Sequence, residues 1–249
     1  MHRAMRDAGH AIHEGRLAIH PPGTPQAVTG RLVARGLQDE LTGTAYAIVD
    51  GVDGRHHHLR FGDLELTGDA PVGAIVELRG WQDRNGVQRS ALAVRSDLPI
   101  ESQVTARGAT WLDRQLLARD TAQASVGFGA EVREAMAARE DHLVAEGLAT
   151  RMGKRVTLAP NLIDTLRSAD LREASARIAA RTGLTPYQNT PGSTIAGTYR
   201  ERVTLASGRF AMIDDGLGFQ LVPWRPALDR QLGATITGTM APGGGIDWT

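Results

Sequence analysis

Tyr46-Ala47-Ile48-Val49-Asp50-Gly51 and Phe210-Ala211-Met212-Ile213-Asp214-Asp215 share one pattern: an aromatic residue, then small and branched apolar residues, then an acidic turn. Runs of this kind read as short strands that stop where Asp and Gly let the chain reverse. The likeness extends outward from both. Val28-Thr29-Gly30 precedes the first run as Ile195-Ala196-Gly197 precedes the second. Gly54 falls on Gly218, Leu59 lies near Leu221, and Gly73-Ala74-Ile75-Val76 answers Gly233-Ala234-Thr235-Ile236. The order and approximate spacing of these pairs predict an internal repeat. Chance likeness of short strands and glycine turns is the alternative, and two copies alone do not exclude it.

Alternating segments accompany the first copy at 29–37, 44–50, 56–61, 74–81 and 88–94, broken at Gly43, Asp53-Gly54, Gly62-Asp63, Pro71 and Asn85-Gly86. The second copy carries them at 194–205, 209–213, 219–222 and 234–240. Short strands with tight turns predict a small barrel or roll for each. Between them the period becomes helical over 110–119, 130–146, 162–167 and 170–181. Gly147 is placed to cap the second of these helices. Leu148–Met152 and Arg155–Leu158 then flank the turn pair Gly153-Lys154, and a helix followed by a basic hairpin is the layout of a winged helix. The fold class expected is therefore α+β, with two small β-barrel-like modules flanking a helical, winged-helix-like middle. The expected divisions are an N-terminal helix and linker at 1–25, a first β module at 26–99, the helical segment at 100–186 and a second β module at 187–249. Met5, Ala8, Ala11 and Ile12 sit at helical spacing in the leader, and Pro21-Pro22 ends it.

Composition removes several classes of function. The 28 Lys and Arg balance 28 Asp and Glu, so no global field draws the chain to nucleic acid or anionic lipid, and any such contact is local. There is no cysteine, which excludes disulfides, thiolate metal sites and cysteine nucleophiles. No apolar run approaches the roughly 20 residues that span a bilayer, and residues 1–20 lack the apolar core of a signal peptide. A cytoplasmic location without membrane insertion is expected.

Few residues offer chemistry. His56 and His58 fall on one face of a strand about 7 Å apart, which suits two metal ligands or an exposed polar strand, and no third ligand stands nearby in sequence. His10, His13 and Glu14 do not form the His-Glu-x-x-His order of a zinc protease. No phosphate loop, dinucleotide fingerprint or Gly-x-Ser-x-Gly elbow occurs. No catalytic residue, metal or cofactor is assigned. The one cationic stretch runs from Arg151 to Arg181, where Arg151, Lys154, Arg155, Arg167, Arg172, Arg177 and Arg181 outnumber Asp164, Asp170 and Glu173. Arg151, Lys154, Arg155, Arg167 and Arg172 are the candidate nucleic-acid contacts, since cations on a wing hold phosphates. The preceding helix is acidic, so a solvated face or a protein-docking winged helix is the competing reading.

Tyr199–Ile213 with Gly216–Trp224, Gly108-Ala109-Thr110-Trp111-Leu112-Asp113 and Gly43-Thr44-Ala45-Tyr46-Ala47 resemble an uncharacterised C-terminal domain of VirD-type bacterial conjugative relaxases. The resemblance covers nearly the whole chain. It implies that a DNA-nicking nuclease domain lies elsewhere in such proteins, with a tyrosine nucleophile and a histidine-held metal. Tyr46, Tyr187, Tyr199 and His56-His57-His58 match none of its motifs, so neither role is transferred to them. The resemblance also implies a basic tail past the position of Trp248, and the expectation is that it does not contribute DNA contacts here. The expected function is that of a non-catalytic accessory region of a relaxase, contributing DNA contacts or docking to relaxosome or type IV secretion proteins. A protein-interaction scaffold without direct DNA contact is the alternative.

Overall fold

A computed structural model describes residues 16–119, 123–188, 190–242 and 244–248. The chain forms two compact units. The first takes the chain up to Ala106 and Thr110–Pro160, the second Arg107–Ala109 and the chain from Asn161 onward. The fold is α+β.

The first unit carries strands β1 (Leu17–His20), β2 (Val28–Asp39), β3 (Thr44–Gly51), β4 (His56–Phe61), β5 (Ile75–Gln82) and β6 (Gln88–Ser96). Helices α1 (Ile100–Val104), α2 (Trp111–Ala118) and α3 (Phe128–Ala145) follow, and then the hairpin β7 (Ala149–Met152) and β8 (Arg155–Leu158). The second unit holds α4 (Leu162–Thr182), β9 (Thr185–Pro186), β10 (Thr194–Leu205), β11 (Gly208–Asp214), β12 (Gly218–Pro223), β13 (Thr235–Met240) and β14 (Ile246–Trp248).

The two sheets have one topology. The first runs β1-β4-β3-β2-β5-β6 and the second, read from β9, runs β9-β12-β11-β10-β13-β14. In each, the first strand is parallel to its neighbour and every other pair is antiparallel. The agreement reaches single residues. Gly30 pairs with Val76 as Gly197 pairs with Ile236. A bulge falls between Leu32 and Ala34 on β2 and between Tyr199 and Glu201 on β10, where the same register places it. Beside it, Leu32 donates its amide to Ala74 at 2.9 Å and accepts from Gly73 at 2.8 Å; Tyr199 does the same with Ala234 at 3.0 Å and Gly233 at 2.8 Å. Because a bulge is a fixed local device, its recurrence at one position supports duplication more strongly than strand texture does.

Three expectations are corrected. The modules are not barrels: among the described residues each sheet is open, with β1 and β6, or β9 and β14, at its edges. The segment 100–186 is not one body. Residues 100–106 and 110–160 belong with the first unit, and 107–109 and α4 with the second, where Ala174 and Ile178 pack on Phe210, Met212, Phe219 and Leu221. The helical leader is not what precedes Pro21, since Leu17–His20 is a strand held by β4, and the rest of that expectation, residues 1–15, lies outside the described residues. The repeat alignment also slips by one residue in its middle part, at Gly54 and Leu59, while its last block holds. Gly51 donates its turn bond to the Arg55 carbonyl, whereas Asp215 donates to Gly218 after a turn one residue shorter, so Leu59 answers Val222 rather than Leu221. With a two-residue side-chain period, that slip decides which face each residue occupies.

Each sheet buries both faces. On the first, Val28, Leu32, Ala47, Val49, Leu59 and Val76 form one core. From the other face Ile75 packs with Ile100, Trp111, Leu112, Phe128 and Val132 of the helices. Burying each large apolar side chain contributes about 2 kcal/mol. The helices are locked by Thr110, which accepts from the Asp113 amide while the Asp113 carboxylate accepts from the Thr110 amide, a reciprocal capping box. Arg139, wholly buried, grips Asp113 bidentately at 2.8 and 3.0 Å and donates to the carbonyls of Val104 and Ala106. Thr110 and Asp113 thus have a structural task. α3 ends as expected at Gly147, whose φ of 71° allows Leu148 and Gly147 to donate back to Leu143 and Val144.

Candidate nucleic-acid interface

In the first unit α2, α3 and the hairpin β7–β8 follow one another in the order of a winged helix. Gly153 and Lys154 form the two-residue turn, and Gly153 takes a φ of 60° at the first central position, as a glycine-led hairpin turn requires. Arg151, Met152, Gly153, Lys154 and Arg155 are all exposed. Arg151 is paired with Asp141 of α3 at 2.6 Å. Among the described residues no carboxylate lies in ion-pair range of Lys154 or Arg155, so these two carry the hairpin's uncompensated charge.

The five candidate residues are not brought onto one element. Arg151, Lys154 and Arg155 lie on the hairpin of the first unit; Arg167 and Arg172 lie on α4 of the second. Arg167 is half-buried with its Nε enclosed, and Arg172 turns its Nε to the Ser168 carbonyl at 3.3 Å. The sequence excess of positive charge is further reduced by folding, because Arg177 pairs with Glu173 and Arg181 with Glu201. The helix that would enter a groove is worse suited still. On α3, Glu131, Glu134 and Asp141 are exposed, while of its arginines only Arg133 is exposed and Arg139 is buried against Asp113.

The histidines of β4 form no common site. His56 turns to Asp50 at 3.5 Å, where Arg31 also binds at 2.9 Å. His58 stacks on Tyr46 with ring centroids 5.8 Å apart, and its burial lowers its pKa from the usual imidazole value. The exposed polar strand expected here is buried instead, since His57 is 2% and His58 9% exposed. His57, on the opposite face, joins a chain that sequence reading missed. Its Nε2 meets Asp53 Oδ1 at 2.9 Å and its Nδ1 meets His20 Nε2 at 2.9 Å. The parallel pairing of β1 with β4 creates this contact, and a leader read as helix hides it. Among the described residues no group of three or more metal-ligating side chains converges.

No helix among the described residues is long and apolar enough to cross a membrane. The sequence profile of a family described as a protein of unknown function, DUF3363, matches residues 1–90 and 81–249. No curated protein matches the chain.

Proposed function

Since the chain belongs to the DUF3363 family, whose function is unknown, we propose from its own residues that it is a non-catalytic accessory region of a conjugative relaxase and touches DNA phosphates through the β7–β8 hairpin. The single observation that carries this is the exposed hairpin tip with Lys154 and Arg155 unopposed by acid. The relaxase assignment rests on the sequence resemblance of Gly43–Ala47, Gly108–Asp113, Tyr199–Ile213 and Gly216–Trp224. In this reading the protein works in the cytoplasm, and relaxosome or secretion proteins are its other partners. The acidic exposed side of α3 makes the contact one with the backbone and not with base edges, so binding is sequence-independent.

Fluorescence anisotropy with single- and double-stranded oligonucleotides across a salt series tests this. Two phosphate contacts predict a log–log salt slope of about −1.8 on duplex, or about tenfold weaker binding from about 50 to about 200 mM salt. Lys154→Glu with Arg155→Glu should abolish binding, while Arg151→Ala should change it little because Asp141 already neutralises Arg151. Absence of binding at low salt, or wild-type affinity in the double variant, would overturn the proposal. The exposed carboxylates of α3 favour a second reading, a scaffold that docks a basic protein partner. Partner capture that survives nuclease treatment and fails after Glu134→Lys would identify it.

A further inference from the structure

Strand β1 is four residues long, and among the described residues it lies at the edge of the sheet with β4 as its only neighbour. Its last residue pairs in register with Leu59, which sets the His20 ring beside His57. The two rings lie 5.1 Å apart at 30°, His20 is 7% and His57 2% exposed, and a single carboxylate, Asp53 from the β3–β4 turn, closes the chain. Facing ring nitrogens 2.9 Å apart form a hydrogen bond only while one of them is bare. With Asp53 accepting from His57 Nε2–H, His57 Nδ1 accepts from His20 Nε2–H. A proton added to one ring still leaves the other nitrogen free to accept. Once both rings are charged, both facing nitrogens carry hydrogen, and the bond becomes a contact between two buried cations. Asp53 touches only His57, acts on His20 from farther off, and is itself partly exposed, with 44% of its side chain open.

We propose that the His20–His57 pair is an acid-released latch on β1, which holds the edge strand to the sheet at neutral pH and lets it detach, freeing the backbone edge of β4, when both rings are protonated. The charged groups bearing on His20 are His57 and Asp53. The adjacent His56 and His58 project from the other face, onto Asp50 and Tyr46. Burial, followed by the neighbouring His57, lowers the His20 pKa below its ordinary value of about 6.5. The unfolded or detached strand therefore binds the proton more readily than the docked one. Attachment is complete above about pH 6.5 and weakens as pH falls below it.

Hydrogen exchange of the whole chain, corrected for intrinsic rates, reads the latch directly. In the wild type the opening equilibrium of residues 17–20 should rise as pH falls from about 7 to about 5, by up to about tenfold per unit for one proton. His20→Gln keeps an amide N–H to reach His57 Nδ1 but cannot titrate, so its exchange should be flat over that range. His58→Gln should retain the wild-type dependence. Nitrogen-15 spectra of the imidazoles should show the His20 ring taking up its proton over the range in which β1 exchange rises. Protection of β1 that is constant with pH in the wild type, or an unchanged dependence in His20→Gln, would each overturn the latch.

Discussion

Arg139→Met is expected to cost about 3–5 kcal/mol and to loosen α1, α2 and α3 first. The side chain is wholly buried against an equally buried Asp113, and removing one partner of such a pair strands the other charge in a medium that cannot solvate it. The loss does not stop there. The carbonyls of Val104 and Ala106 lose their donor, and Asp113 is also the residue that closes the α2 cap onto Thr110. Urea unfolding followed by circular dichroism gives the total. Native-state hydrogen exchange gives the location, with α2 and α3 amides losing protection while the amides of β10–β13 keep theirs. The double variant Arg139→Met with Asp113→Leu should recover much of the loss, because an apolar pair of similar size needs no solvation. It should remain short of wild type by about 1 kcal/mol, the value of the missing cap. A single-variant loss below about 1 kcal/mol, or a double variant no better than the single one, would mean that the pair does not hold these helices.

This pair shows where the sequence was legible and where it was not. Alternation and turn residues locate β2–β8 and β10–β13 within a residue or two, because each face of a half-buried strand has its own composition, while β1, β9 and β14 do not read as strands. The helices over Trp111–Ala118 and Phe128–Ala145 and the tip at Gly153-Lys154 are equally readable. What could not be read is pairing across distance. Arg139 reads as one of two cations on an acidic surface helix, and nothing local says that its partner is Asp113, far earlier in the chain. His20 reads as leader because its strand is defined only by β4. The Arg151–Arg181 charge excess is an accurate count but a poor guide to the surface. Folding divides it between two units and pairs Arg151, Arg177 and Arg181 with Asp141, Glu173 and Glu201. What survives as a candidate site is Lys154 and Arg155, whose exposure follows from a two-residue turn that the sequence does show.

Gly30→Ala and Gly197→Ala are expected to be comparably damaging, and together they test whether the two sheets are one design used twice. A Cβ on Gly30 would lie 2.1 Å from the Asp50 carbonyl oxygen and 2.8 Å from its carbon; on Gly197 it would lie 2.5 Å from the Asp214 oxygen and 2.8 Å from its carbon. These obstacles are backbone and belong to the hydrogen-bonded partner strand, so they cannot turn aside as a side chain does. In each sheet the bulge on the same strand fixes the approach two residues further on. Relieving either clash means shifting β3 or β11 with the core side chains it carries. That places the cost at the upper end of overpacking, about 3 kcal/mol for each variant. Gly36 is the internal control. It sits on β2 as well, but a Cβ there would meet only the Tyr46 ring at 3.5 Å, an ordinary contact, so Gly36→Ala should stay within about 1 kcal/mol of wild type. Exchange protection assigns each loss to its unit, with β2–β5 affected in Gly30→Ala and β10–β13 in Gly197→Ala. If only one of the two glycines proves sensitive, the shared close approach is not a requirement of the fold. If Gly36→Ala is as harmful as either, the cost comes from replacing a strand glycine in general and not from the backbone contact that both sheets repeat.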